Sequence, residues 1–230
     1  MLNKTRRRVL AGTATALLPL TLAACGDTVS PGVAAEVDGQ PIQVSQVDDL
    51  ARVICATQGG QQGGEKTPTA SVRALALNVL LDIEVAKRVG DLRSADQKTV
   101  TQSLQSAAQA RALVKASDRA LFDQVVGDST RAGLLLTQLA TQEVQAAGGD
   151  PNDQNAVQAE VAKLQAKYIK EAKVEVAPRF GTLQDGRLIA GDGSLSVPVS
   201  KTARSFKGGS SDDPFGSGNT ADYPANQRCS

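Results

Sequence analysis

The sequence predicts a mainly α-helical domain that is closed by a small β pairing between an N-terminal hairpin and a C-terminal strand. Hydrophobic residues make up 41% of the 230 residues, which is enough for a packed core, whereas aromatic residues make up 3% and Trp is absent. A core built from Leu, Val, Ile and Ala favours helices over a β-sandwich. Apolar residues recur at helical spacing through the middle of the chain and alternate with polar residues only near residues 33–44 and 174–181.

The N-terminal part of the predicted sheet is a hairpin over residues 33–44. Apolar and polar residues alternate there, and Asp38-Gly39 is a strong signal for a tight turn. Ser45 then caps a helix, with Asp48 in the capping-box position, and the helix runs to about Ala56. Its buried side is predicted to consist of Val47, Leu50 and Ile54, with Val53 beside them.

The clearest helix begins at Ser71 and ends at Gly90, after a Gly- and Gln-rich loop over Thr57–Thr69. Apolar residues recur along it at three- and four-residue steps, and a second set widens this stripe, so the helix is predicted to be central. The stripe consists of Val72, Leu75, Ala76, Val79, Leu80, Ile83 and Ala86, and the widening set of Leu77, Leu81 and Val85.

Four further helices and a closing strand complete the predicted domain. A capping box of Ser94 with Gln97 starts one helix, a short helix follows Ser117, and Ser129 starts the next. Asp153 caps the last helix. The chain then returns to an alternating pattern at residues 174–181, and pairing this strand with the N-terminal hairpin closes the domain.

The first 24 residues have the three zones of an export signal. A basic region is followed by an apolar stretch, which is too short to cross a bilayer because spanning takes about 20 apolar residues. The stretch ends in Leu22-Ala-Ala-Cys25, which resembles the bacterial lipobox. We expect a signal peptide over residues 1–24 and a diacylglycerol, with acyl chains such as palmitate, on Cys25. The alternative is a plain secretory peptide with an incidental cysteine.

A lipid on Cys25 would hold the mature chain on the extracytoplasmic face of the cell membrane, since two acyl chains anchor firmly where one is marginal. Residues 25–32 are then predicted to be a tether, residues 33–185 the folded domain, and residues 186–230 a flexible tail rich in Gly, Ser and Asp. Thr5-Arg-Arg-Arg-Val-Leu10 also resembles a twin-arginine signal, although Val9 replaces the usual Phe. General secretion and twin-arginine export therefore both stay open.

Two cysteines, Cys55 and Cys229, remain in the predicted mature chain. An exported protein meets an oxidising compartment, so an even number of cysteines favours a disulfide. Such a bond would fasten the polar tail to the first helix. The alternative is a buried thiol at Cys55 and a loose one at Cys229.

The composition excludes several functions. The chain has no His, so it has no Ser-His-Asp triad, no Cys-His pair and no His-ligated metal. Removing residues 1–24 removes four positive charges and takes the net charge from +1 to −3, so nothing favours nucleic acid as a partner. We expect no enzymatic activity, no metal and no cofactor.

Three motifs together resemble the SurA N-terminal domain family, which includes PrsA-like foldases. They are the strand–turn–helix entry at residues 33–48, the apolar helix at residues 76–90 that leads into Ser94–Val100, and Val174-Glu-Val-Ala-Pro-Arg-Phe-Gly181 as a closing strand. The resemblance covers residues 33–185 and implies a helical module that binds unfolded exported polypeptides. The parvulin domain of fuller members, which isomerises prolyl bonds, has no counterpart in this chain.

Two functions follow as expectations. The first is a lipid-anchored holdase that buries the apolar side chains of unfolded or exported polypeptides in a cleft between the first two helices and the last. The second is a scaffold or adaptor lipoprotein that binds one native envelope partner, for instance through the loop Thr57–Thr69 or the acidic pair Asp212-Asp213. The candidate peptide-binding residues are Leu50, Leu75, Val79, Leu80, Val161, Leu164 and Tyr168.

Overall fold

Six α-helices and five short strands form the part of the chain that the computed structural model describes, namely residues 29–58, 67–184, 187–190 and 228–229. The mainly helical fold with a small antiparallel sheet is confirmed. The strands are β1 (Val33–Val37), β2 (Gln40–Gln43), β3 (Glu175–Val176), β4 (Gly181–Gln184) and β5 (Arg187–Ala190). The helices are α1 (Val44–Gln58), α2 (Thr69–Val89), α3 (Gln97–Ser106), α4 (Ala108–Leu113), α5 (Arg119–Ala146) and α6 (Gln154–Glu171).

The predicted hairpin and its closing strand form one antiparallel sheet in the order β2-β1-β3. Asp38 and Gly39 both have positive φ, 52° and 77°, as a two-residue hairpin turn requires. Ala35 pairs with Val176, and the Asp38 amide donates to the Ala172 carbonyl at 2.9 Å. The two ends of the helical block are therefore joined, as the sequence predicts.

A second hairpin, β4-β5, follows directly after the short turn Pro178–Phe180. Leu188 in β5 is fully buried, and α2 packs against this strand. β5 lies beyond residue 185, where the sequence analysis places the end of the domain. The folded unit therefore extends to at least Ala190, because an apolar strand in a polar segment is recognisable only once its packing partner is known.

The central position of α2 is confirmed, and four residues of the predicted stripe are buried, namely Val72, Ala76, Ile83 and Ala86. Leu77, Leu81 and Val85 are almost completely buried, whereas Leu75, Val79 and Leu80 are only partly buried. α2 contacts α1, α5, α6 and both sheets. A helix that is packed on several sides is apolar nearly all round, and its periodicity then does not tell which face lies deepest.

Several predicted helix boundaries are wrong. Ser45 does not cap α1, because α1 already begins at Val44. Ser94 does not cap a helix, because it lies in a 3₁₀ turn and its hydroxyl donates to the Asp91 carbonyl at 2.7 Å. The cap of α3 is Asp96, whose carboxylate accepts from the Thr99 amide at 2.9 Å. The helix predicted to follow as one piece is interrupted at Ala107.

The helices predicted from Ser117 and from Ser129 are one continuous helix, the 28-residue α5. The hydroxyls of Ser129 and Thr130 both donate to the Val126 carbonyl, so these polar residues are satisfied inside the helix and do not interrupt it. The predicted cap of α6 is confirmed, since the Asp153 carboxylate accepts from the amides of Asn155 and Ala156.

The assignment of Asp96, rather than Ser94, as the cap of α3 can be tested by mutation. Asp96→Ala is expected to lower the midpoint of thermal unfolding by a few degrees, because the first turn of α3 loses the acceptor for its free amides. Ser94→Ala, the matched control, is expected to leave the midpoint unchanged within error. Thermal unfolding followed by circular dichroism measures both, and a larger loss for Ser94→Ala would contradict the cap assignment.

The core of the described residues is divided into a main and a small cluster. The main cluster lies between the β2-β1-β3 sheet, α1 and α2, and the small cluster of Ala140, Val144, Val157 and Leu164 lies between α5 and α6. Within the described residues, no helix is both long and apolar enough to cross a bilayer.

Candidate functional site

The structure does not bring the seven predicted peptide-binding residues together in one cleft. Leu50 is 3% exposed in the main cluster and Leu164 is 5% exposed in the small cluster, so both side chains fill the core. Val79 and Leu80 pack partly buried against the main cluster and Val161 against the small one, while Tyr168 packs against both and Leu75 is half-buried.

Exposed apolar surface is also scarce in the described part of the chain. The one large hydrophobic side chain classed as exposed there is Leu113, at 48%. Holding an unfolded client by burial needs apolar surface in contiguous patches. The described surface therefore offers little for that mode of binding.

Cys55 and Cys229, the two cysteines predicted to remain in the mature chain, lie together. Their Cα atoms are 5.1 Å apart and their sulfur atoms are at bonding distance, which is the geometry of a disulfide. The amide of Cys229 donates to the Thr67 carbonyl at 2.9 Å, and Arg228 forms a β-bridge with Pro68. The end of the chain is thus packed between α1 and the start of α2. The lipidation candidate, Cys25, and the pair Asp212-Asp213 lie outside the described residues.

A charged cleft of about 510 Å³ lies beside these cysteines, and we call it the disulfide cleft. Its walls come from α1, the start of α2, the turn before α5 and the end of the chain. The lining residues are Asp48, Ala51, Arg52, Cys55, Ala56, Thr69, Arg73, Lys115, Asp118, Arg228 and Cys229. Four cations face two carboxylates, so the lining carries a net charge of +2.

Ion pairs hold the walls of the disulfide cleft in place. Arg52 donates to Asp118 at 3.1 Å and to Asp49 at 3.0 Å, which joins α1 to the turn before α5. Arg73 pairs with Asp48 at 2.6 Å and lies over the ring of Phe180. The hydrogen bond from Arg52 lowers the pKa of Asp118, so this carboxylate stays ionised.

The two carboxylates of the disulfide cleft are paired with arginines of its walls. This pairing makes each carboxylate a weak general base. No group of three or more potential metal ligands of the Asp, Glu, Cys and His types occurs among the described residues. Cationic side chains that line a cleft are suited to an anionic segment of a partner.

A second cleft, of about 530 Å³, lies at the carboxyl end of α2. It is also polar, and its ion pairs are local ones within single helices, such as Arg131 with Asp128 at 3.0 Å. Arg88 pairs with Asp38 close to this end of α2, which connects the helix to the hairpin turn. The lining residues are Lys87, Gly90, Asp91, Leu92, Arg93, Gln97, Asp128 and Arg131.

Sequence reasoning missed one unusual acid, Asp82. It lies in α2 facing α6, where Gln165 donates to one carboxylate oxygen at 2.8 Å and Asn78 to the other at 3.2 Å. Burial raises the pKa of Asp82 to about 6, against the opposing effect of the Gln165 hydrogen bond. The available signal was an acid in an apolar helix with no Lys or Arg one turn away on either side, unlike Glu84, which pairs with Lys87.

Comparison with protein-family models, with curated proteins and with solved structures finds no match to this chain.

Proposed function

We propose that this chain is a lipid-anchored, extracytoplasmic binding protein without enzymatic activity, and that it binds one folded envelope partner through the disulfide cleft. The observation that carries the proposal is the contrast between two surfaces. Six of the seven apolar candidates belong to or pack against two separate core clusters, whereas charged residues from four separate segments converge on one cleft.

Charge complementarity defines what the partner offers. Arg52 and Arg73 are paired to carboxylates of the cleft, and Lys115 at the cleft wall is the cation that we propose for the contact with the partner. An acidic segment of a folded protein complements such a lining, and complementary charge raises both specificity and the rate of association.

The holdase that the SurA resemblance implies is the second candidate. The feature in its favour is the pairing of β1 with β3 around the helical block, which is the closure that the resemblance implies. In this case the partners would be many unfolded or exported polypeptides rather than one native protein.

Capture from crosslinked membranes distinguishes the two candidates. The lipid-anchored chain is expected to retain one stoichiometric partner, and Lys115→Glu is expected to weaken that complex about tenfold because it reverses a charge at the cleft wall. Lys98→Glu is the matched control, since Lys98 is an exposed lysine on α3 that lines neither cleft.

A holdase assay completes the test. At equimolar concentration the protein is expected not to suppress aggregation of a reduced or heat-unfolded client. Suppression with several unrelated clients, together with equal binding by the two lysine variants, would replace the adaptor by the holdase.

A further inference from the structure

The folded unit begins very close to the proposed lipid anchor. Val29 is 5% exposed and belongs to the main cluster, and the Ser30 carbonyl accepts from the Val33 amide at 3.1 Å. The segment 25–32, predicted as a tether, is therefore part of the fold from Val29 onward. The four Cα–Cα steps from Cys25 to Val29 span at most about 14 Å even when the chain is fully extended.

The two chain segments that meet at this entry point are themselves uncharged. Gly32 accepts a hydrogen bond from the Val44 amide at 2.9 Å, and Val33 pairs with Gln43, so residues 30–32 and 43–46 are adjacent. We call these two segments the entry surface. Residues 29–35 and 40–47 contain no Asp, Glu, Lys or Arg. Bringing these two segments against a bilayer therefore desolvates no ionised side chain of their own.

We infer that the lipid-anchored chain lies directly on the bilayer through its entry surface, and that its partner presents the bound segment close to the membrane. This inference rests on the lipid anchor of the proposed function. A domain of this size has a radius of gyration of about 15 Å, which exceeds the reach of the linker. The linker therefore keeps the entry surface closer to the membrane than the rest of the domain.

The position of the disulfide cleft limits how far from the bilayer the bound segment of the partner can lie. The cleft begins at Asp48, one helical turn after Val44, and reaches Cys55 on the same helix. At 1.5 Å per residue, α1 carries the cleft about 17 Å from the entry surface, so the cleft lies within about 30 Å of Cys25. The partner is thus a membrane-embedded or lipid-anchored protein with an acidic segment beside the bilayer.

Tryptophan fluorescence tests this orientation without background, because the chain has no Trp. Ser45→Trp places a probe on the entry surface. Gln142→Trp places a matched probe on α5, about 36 Å along the helix axis from Asp118, whose carboxylate contacts Arg52. The full lipidated protein is reconstituted in phosphatidylcholine vesicles that carry a nitroxide on part of the headgroups.

Quenching is expected to be several-fold stronger for Trp introduced at position 45 than for Trp introduced at position 142. A long Gly/Ser insertion between Gly26 and Asp27 is expected to remove this difference. Equal quenching at both positions in the lipidated protein without the insertion would overturn the orientation and leave the anchor intact. Mass spectrometry that finds no lipid on Cys25 would overturn the anchor itself, and the orientation with it.

Discussion

Replacing Cys55 and Cys229 together with Ala is expected to lower the free energy of unfolding by about 3–5 kcal/mol. The two residues are 174 positions apart, and a cross-link of that span removes much of the conformational entropy of the unfolded chain. Unfolding in guanidinium chloride of the lipid-free Cys25→Ser form, with and without the two replacements, measures the difference.

Reduction supplies the matched control for the disulfide. Treating the Cys25→Ser form with a phosphine reductant is expected to cause the same loss of stability and to have no effect on the variant that lacks all three cysteines. Hydrogen exchange is expected to accelerate at the Cys229 amide, which the Thr67 carbonyl holds at 2.9 Å. Two free thiols in the purified Cys25→Ser form would contradict the prediction and favour the alternative of unpaired cysteines.

The stability of the domain is expected to fall as the pH rises from about 4 to about 7, and Asp82→Asn is expected to remove much of this fall. Burial raises the pKa of Asp82 from 3.8 to about 6, so the folded state holds the proton more tightly than the unfolded state does. Below pH 4 the group is protonated in both states. Above pH 6 the folded state must carry a buried carboxylate, which costs about 1–3 kcal/mol.

Asp82→Asn is therefore expected to be more stable than the wild type at pH 8 and equal to it at pH 4. Asn has the shape of the protonated acid and still accepts from Gln165, which donates to Asp82 at 2.8 Å. Glu143→Gln, an exposed acid on α5, is the matched control and is expected to follow the wild type. Denaturant titrations at several pH values measure all three proteins. If wild-type and Asp82→Asn stability changed in parallel with pH, Asp82 would not be the group responsible.

Local signals account for the parts of the fold that the sequence predicted well. The Asp38-Gly39 turn requires positive φ at two successive residues, and few sequences provide this as readily. Asp153 stands directly before an apolar periodic stretch and satisfies the amides of Asn155 and Ala156, so its role depends on neighbouring residues alone. The pairing of β1 with β3 followed because the chain contains only two clearly alternating stretches.

Two other local signals, the predicted helix starts at Ser94 and Ser129, gave wrong predictions. Ser94 and Asp96 both precede α3, and Asp96 is the cap because its carboxylate reaches the Thr99 amide, whereas Ser94 is engaged by the turn before the helix. Ser129 resembles a helix start, but its hydroxyl bonds to the Val126 carbonyl within α5. In both cases side-chain geometry, rather than residue type, decides the outcome.

By itself the sequence determined the helical class, the hairpin turn and the cap of α6, because each depends on contacts between residues that are close in the chain. It also determined the closing strand, because only two stretches of the chain clearly alternate and they pair with each other. The tertiary structure alone decided which face of α2 lies deepest, that β5 joins the fold, and that the predicted lining residues fill two clusters. It also decided the disulfide cleft, whose walls come from residues 48–56, 69–73, 115–118 and 228–229. No local pattern connects these segments, since their convergence follows from the packing of α1 against α2 and from the position of Cys229 beside Cys55.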